Sequence, residues 1–244
     1  MIIDCISDCH GFYPKLEGGD LLIVAGDLTA RHTVRELDEF NEWLLQQRYE
    51  KKVVIAGNHD TLIEDRGIFD ISNPIDRTLF LDPSADYLCD SGTEFEGIKI
   101  WGTPWSLWFK GVNPHCAAFM GYEGDLQKKY DLIPNDIDIL ISHTPPYGIL
   151  DQNKDGYLCG SMYLRNTLDR VKPKFLICGH IHERGGQQIR CNGSGAWCIN
   201  ASIVNEKYQH VNKPVRLNYS KISYSCSEKS YNSTSKENLP VEKE

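Results

Sequence analysis

Short apolar runs alternate with polar, glycine-bearing clusters along this chain. Residues 1–7, 21–25, 52–56, 137–142 and 174–178 are rich in Ile, Leu and Val, have strand length and lack a helical period, so each predicts a buried β-strand. Between the second and third runs, Thr33-Val34-Arg35-Glu36 reads as a capping box. Val34, Leu37, Phe40, Asn41 and Leu44 then recur at helical spacing through about Gln47, predicting a βαβ crossover helix. Tyr87 to Trp105 predicts a hairpin turning near Gly97. A helix over 162–171 precedes the strand ending at Cys178, and short strands follow around Gln188, Trp197 and Val215. These elements predict an α/β fold with mixed sheets.

A polar cluster begins where each of the five apolar runs stops: Asp8-Cys9-His10, Gly26-Asp27, Gly57-Asn58-His59-Asp60, His143 and Gly179-His180-Ile181-His182. In an open α/β sheet, ligands gather beyond the carboxyl ends of the strands, so side chains just after each strand converge on one crevice. The clusters place two Asp, one Asn and four His there, with His59 left over. An isolated Gly-Asp or Asn-His after a strand reads most simply as a turn. Five in succession read as the oxygen and nitrogen ligands of a two-metal site.

Cleaving a phosphate ester needs a nucleophile made from water, charge stabilisation on the phosphoryl oxygens and a proton for the leaving alkoxide. Two divalent cations supply the first two. Asp27, behind a glycine that lets the backbone come close, is the candidate bridge with one oxygen to each metal. One metal would then take Asp8, His10 and His182, and the other Asn58, His143 and His180. Adjacent side chains diverge, so His59 is left to face the leaving group as general acid while a bridging hydroxide attacks. Asp60 is placed to hydrogen-bond the His59 ring and fix its tautomer. Imidazole, carboxylate and amide oxygen without thiolate suit manganese, iron, zinc or nickel, with manganese preferred.

Composition narrows the class. The 244 residues carry 25% charged and 41% hydrophobic side chains, the make-up of one globular domain, and no apolar run is long enough to span a bilayer. The domain is expected over 1–220. Residues 221–244, mostly Ser, Asn, Lys and Glu, predict a flexible polar tail. A strand starts at Met1, so no signal peptide is expected ahead of the fold. The nine cysteines are odd in number, irregularly spaced and without a C-x-x-C pair, which predicts reduced thiols in the cytoplasm. Four glycosylation sequons, at Asn192, Asn200, Asn218 and Asn232, are then chance matches. A net charge of −8 argues against duplex nucleic acid as a partner and leaves a small phosphoester as substrate.

With these residues in place, the chain resembles the calcineurin-like metallophosphoesterase superfamily, whose shared pattern is the five-cluster series. Longer stretches are similar to the metallophosphoesterase-domain-containing (MPPED) group: Gly26-Asp27-Leu28-Thr29, Phe40-Asn41-Glu42-Trp43-Leu44, Val54 to His59, Gly102-Thr103-Pro104-Trp105, Ile137 to Pro146 and Gly179 to Glu183. The similarity covers about residues 2 to 218. It implies a four-layer αββα sandwich and phosphodiesterase activity of the kind that acts on cyclic nucleotides. It also implies Asp8, His10, Asp27, Asn58, His143, His180 and His182 as metal ligands, with His59 catalytic. Asp60 stands where many relatives carry Glu. The protein Ser/Thr phosphatases of the superfamily have GDxVDRG, whereas this chain reads Gly26-Asp27-Leu28-Thr29-Ala30-Arg31-His32, which disfavours that activity.

Other chemistry-bearing residues have plainer readings. Cys9 is expected as a buried structural thiol. Trp101, Trp105, Trp108 and Phe109 are expected to fill core space before they stack a nucleobase. Arg31 and Arg184 read as surface groups. Of His32, His115 and His210, only His32 is close enough in sequence to Asp27 to reach substrate. The expected function is a dinuclear phosphodiesterase for small diesters. The alternatives are a phosphomonoesterase, a non-catalytic scaffold of the same fold and, further off, a single-strand nuclease, which the acidic charge weakens.

Overall fold

The computed structural model describes residues 1–65, 84–109 and 116–219. The expected tail over 221–244 and His115 lie outside the described residues. Two mixed sheets carry the architecture. The first has the order β13-β1-β2-β3-β4, with β1 Ile2–Ile6, β2 Gly19–Ala25, β3 Tyr49–Ile55, β4 Ala85–Tyr87 and β13 Val215–Asn218. The second runs β11-β12-β10-β9-β6-β5, with β5 Ser91–Phe95, β6 Ile98–Thr103, β9 Ile139–Ser142, β10 Phe175–Cys178, β11 Gln188–Arg190 and β12 Trp197–Asn200. A small parallel pair, β7 Ser106–Leu107 and β8 Met120–Gly121, stands apart.

Strand alternation produces the layers, because successive side chains point to opposite faces. Ile3, Cys5, Leu21, Ile23, Val53 and Ile55 of the first sheet meet Ile100, Ile139, Ile141, Ile177 and Ile199 of the second in one fully buried core. The intervening residues face outward to helices. Leu22, Val24 and Val54 pack on Leu37, Phe40 and Leu44 of α1, Val34–Gln46. On the other side, Leu140, Leu176 and Cys198 pack on Leu126 and Tyr130 of α3, Glu123–Tyr130, and on Leu164, Leu168 and Val171 of α4, Met162–Val171. The order α1, sheet, sheet, α3 with α4 is the four-layer αββα sandwich. A short α2 spans Thr61–Asp65.

Local signals explain the boundaries. Helix α1 starts at a reciprocal capping box between Thr33 and Glu36 and makes the β2-α1-β3 crossover that the parallel β2/β3 pairing requires. Val34, counted from the sequence on the apolar face, sits in the first turn and is 48% exposed. The hairpin of β5 and β6 turns at Glu96 (φ 50°) and Gly97 (φ 73°), both left-handed as a two-residue turn demands. Helix α4 is capped by the Ser161 hydroxyl, which accepts from Leu164 N, and closes on left-handed Lys172. No helix among the described residues is long and apolar enough to cross a membrane.

Candidate metal centre

Strands β1, β2, β3, β9 and β10 deliver their five clusters to one crevice across the ends of both sheets. Backbone hydrogen bonds stitch the strand ends together: Asp8 N donates to Gly26 O over 2.9 Å, His10 N to Asp27 O over 3.1 Å and Gly179 N to His143 O over 3.0 Å. The His143 ring reaches from the second sheet to the first, where its Nδ1–H donates to Ala25 O over 2.9 Å. Asn200 Nδ2 holds the loop after β10 by donating to Gly179 O and Ile181 O.

The geometry of these loops is costly and local. Asp8, His10, Asp27 and His180 all have positive φ, between 43° and 66°. Such conformations cost about 1–3 kcal/mol each away from glycine and persist only where surrounding contacts enforce them. Two glycines make the close approach possible. A Cβ on Gly26 would lie 2.5 Å from His143 Nδ1, and one on Gly179 would collide with Ser7 Oγ and the Asp8 carboxylate.

Two donor groups form around Asp27. In the first, one donor atom from each of Asp8, His10, Asp27 and His182 lies within 4.8 Å of the others. His182 Nε2 is 3.1 Å from Asp8 Oδ1, and His10 Nε2 is 3.3 Å from His182 Nε2 and 3.5 Å from Asp27 Oδ2. In the second, Asn58 Oδ1 is 3.0 Å from His143 Nε2 and 2.9 Å from His180 Nδ1, and His143 Nε2 is 3.3 Å from Asp27 Oδ1. All seven expected ligand residues are therefore brought together, with one Asp27 oxygen directed to each group.

The chemistry of the donors fits divalent cations. Asn58 Nδ2 donates to Cys116 O, which orients the amide oxygen inward. With Nδ1–H of His143 spent on Ala25, its Nε2, Asn58 Oδ1 and Asp27 Oδ1 are three acceptors in contact, and only a proton or a cation among them relieves the repulsion. Burial pushes the His143 imidazole down, but Asp27 outweighs it and holds the pKa at about 9. Asp8 and Asp27 are buried, which alone would raise them, yet the surrounding histidines keep both below the ordinary carboxylate range. His10 and His180 remain neutral bases, lowered by burial to about 4 and about 3. Ionised carboxylates beside the neutral His10 and His180 imidazoles make a receptor for positive charge, where a cation would replace the proton held at His143.

His59 stands beside this set without joining it. Its backbone N–H donates to Asp27 Oδ1, its ring Nδ1 faces Ala30 O at 3.2 Å, and its ring centroid is 4.5 Å from that of His10. Burial disfavours its charged form, but Asp27 overrides this and lifts the pKa to about 10.

Asp60 does not orient that ring, contrary to the expectation from sequence. Its carboxylate accepts from Leu28 N at 3.1 Å, Thr29 N at 3.0 Å, Thr29 Oγ1 at 3.0 Å and Gly57 N at 2.8 Å. These donors close around a fully buried carboxylate and engage both of its oxygens. Asp60 ties the loop after β2 to the loop after β3, and Ala30 O takes the role assigned to it at the ring.

Other residues fall as follows. Cys9 is fully buried under α1, where burial pushes its thiol well up. Trp105 packs edge-on against Phe119, and its indole N–H donates to Asp90. Trp101 packs against the α3 and α4 layer. The Arg184 guanidinium donates to Gln152. His32 does approach the site: its Nδ1 contacts His59 O. Tyr208 was not foreseen. Its ring stands 4.9, 6.0 and 5.1 Å from those of His10, His59 and His182, with a left-handed backbone and 41% exposure. Nothing in its local sequence marks it, because the Asn205 turn that carries it is brought in from β12 by tertiary structure.

A two-sheet sandwich with oxygen and nitrogen donors converging at its strand ends defines a metal-dependent phosphoesterase class. The chain belongs to the calcineurin-like phosphoesterase family, whose family model matches residues 1–184. It is 35% identical to Metallophosphoesterase domain-containing protein 1 of Homo sapiens over 233 residues, covering 86% of this chain and 68% of that protein. A UPF0046 protein of Caenorhabditis elegans is 34% identical over 227 residues, covering 86% and 78%. Among solved structures, TT1561 of Thermus thermophilus superposes with a TM-score of 0.56 at 15% identity, covering 82% of this chain and 88% of that one, a likeness of fold.

Proposed function

We propose that the protein is a dinuclear metal-dependent phosphodiesterase acting on small phosphodiesters, with cyclic nucleotides as the substrate class. The observation that carries this reading is the division of Asp27, with Oδ2 toward His10 and Oδ1 toward His143. Asp8, His10 and His182 would hold one cation and Asn58, His143 and His180 the other, with Asp27 shared. Manganese is our preference for this nitrogen and oxygen set. Bound there, two divalent cations neutralise phosphoryl oxygens and acidify water.

The chain's own residues do the rest. His59, its Nδ1–H facing Ala30 O, presents Nε2 toward the crevice and delivers a proton to the departing oxygen. Its anchor on Asp27 fixes that nitrogen relative to both donor groups. Tyr208 covers His10, His59 and His182 and shields them from bulk water. Neither arginine considered from the sequence supports a dianionic monoester: Arg184 is committed to Gln152, and Arg31 is exposed with its backbone N–H on Glu36. A singly charged diester needs less positive charge, which favours it over a monoester. Free thiols at the described cysteines support a reducing, cytoplasmic setting.

Hydrolysis of bis(p-nitrophenyl) phosphate against p-nitrophenyl phosphate by manganese-loaded protein tests the reading, with His59→Ala and Asp27→Ala as controls. Diester turnover lost in Asp27→Ala and only reduced in His59→Ala, because p-nitrophenolate leaves with little need of a general acid, is the expected result. Preference for the monoester moves the assignment to a phosphatase, and metal binding without turnover of either moves it to a scaffold.

A further inference from the structure

A second set of donors gathers at His59 Nδ1, the nitrogen that faces Ala30 O. Cys116 Sγ is 3.6 Å from His59 Nδ1, and one donor atom from each of His32, His59 and Cys116 lies within 4.8 Å of the others. The rings of His32 and His59 are stacked, with centroids 5.9 Å apart and planes inclined by 20°. Cys116 is held in place through its neighbour contacts: its carbonyl accepts from Asn58 Nδ2, and Ala118 N donates to Asn58 O over 3.2 Å. His32 and Cys116 are both half-buried, so the cluster opens to solvent.

We infer that His32, His59 and Cys116 form a binding site for a soft divalent cation of the zinc type, and that its occupation switches the enzyme off. The spacing fits. With Zn–S of ~2.3 Å and Zn–N of ~2.0–2.1 Å, a tetrahedral ion sets its sulfur and nitrogen ligands roughly 3.5 Å apart, against 3.6 Å here. The ligand types fit as well. One thiolate with two imidazoles selects zinc or cobalt over manganese, whereas the crevice offers carboxylates, an amide and imidazoles without sulfur. Three protein donors leave a fourth position to water.

Binding would displace two protons to solvent, one from the Cys116 thiol and one from His59 Nδ1. Its consequence rests on the proposed role of His59. A ring carrying a cation at Nδ1 is a neutral Nε2–H donor, weaker than imidazolium, and it gives up its hydrogen bond to Ala30. Leaving-group protonation then fails while the crevice and its own cations stay intact. The site itself does not depend on that role.

The test is cobalt(II) titration of the full chain after manganese loading, followed by thiolate-to-cobalt charge-transfer absorbance. One equivalent should produce the band in the wild type, Cys116→Ser should abolish it, and His32→Gln should weaken the affinity at least about 10-fold, since even supporting residues of metal sites are worth ~10–100-fold. In parallel, zinc added to the manganese enzyme should inhibit diester hydrolysis in the wild type, with inhibition weakened at least about 10-fold in Cys116→Ser relative to that variant's own zinc-free rate. A missing band, a band that survives Cys116→Ser, or full affinity in His32→Gln overturns the site. A Cys116-dependent band with equal zinc inhibition in both proteins overturns the switch. Should the wild type hydrolyse neither ester, the proposed function fails while the band still decides the site.

Discussion

The backbone N–H of His59 donates to Oδ1 of Asp27 over 2.8 Å, and that same oxygen lies 3.3 Å from Nε2 of His143. The residue proposed to protonate the leaving group is thus positioned by the carboxylate proposed to be shared between the cations. General acids matter most when the leaving group is a poor one. His59→Ala should therefore cost ~10²–10⁴-fold in kcat for an alkyl or ribose phosphodiester and far less for a p-nitrophenyl ester. Rates across a leaving-group series measure this, and an equal loss across the series would remove His59 from the proton-transfer role.

Asp60 has a different duty, and its removal should read out in stability. Asp60→Ala would leave the buried N–H groups of Leu28, Thr29 and Gly57 without their acceptor. Unsatisfied buried donors cost ~1–3 kcal/mol each, and water entering the gap recovers part, so a net loss of about 2–4 kcal/mol is expected. Urea unfolding checks it. Unchanged stability together with a displaced pH–rate profile would restore the tautomer role that the sequence suggested.

Metal-free protein should weaken as the pH rises. His143 and His59 titrate near 6.5 when unfolded but at about 9 and about 10 when folded, because Asp27 outweighs the effect of burial. A folded pKa raised in this way adds stability that is complete below 6.5 and drains away as the pH climbs through the folded values. Thermal unfolding in chelator should accordingly fall between about pH 6.5 and 9, and saturating manganese should flatten the decline by taking the place of the His143 proton. A metal-free unfolding temperature that holds level over this range contradicts the electrostatic account.

Tyr208 offers an aromatic surface above three site histidines, His10, His59 and His182. Aromatic pairs contribute ~0.5–1.5 kcal/mol beyond the area they bury. Tyr208→Leu should raise KM for aryl or nucleoside diesters by about 2–10-fold while leaving a dialkyl diester unaffected. Steady-state kinetics on both substrate types decide it, and equal changes in the two would assign Tyr208 a purely structural part.

The amino-acid sequence by itself pointed to the strands that end at the site, the α1 crossover, the hairpin turn at Gly97 and the candidate donors with His59. All of these rest on local information: apolar period, caps, turn glycines and polar clusters at strand ends. It put Tyr87 in the hairpin, whereas Tyr87 ends β4 in the first sheet, paired with Val54, and the hairpin starts at Ser91. Only the tertiary structure decided how the donors divide about Asp27, because Asn58 meets His143 and His180 across 85 and 122 residues of chain. The left-handed backbones of Asp8, His10, Asp27 and His180 are likewise held by contacts between loops, although Asp and His enter this region more readily than most residues. Asp60 was misread for the same reason. Adjacency to His59 suggested a partner for its ring, but the donors of Leu28 and Thr29, supplied from 31 to 32 residues away, win the carboxylate. Tyr208 and Cys116 come to His59 through pairings between segments far apart in the chain, which no period or motif encodes.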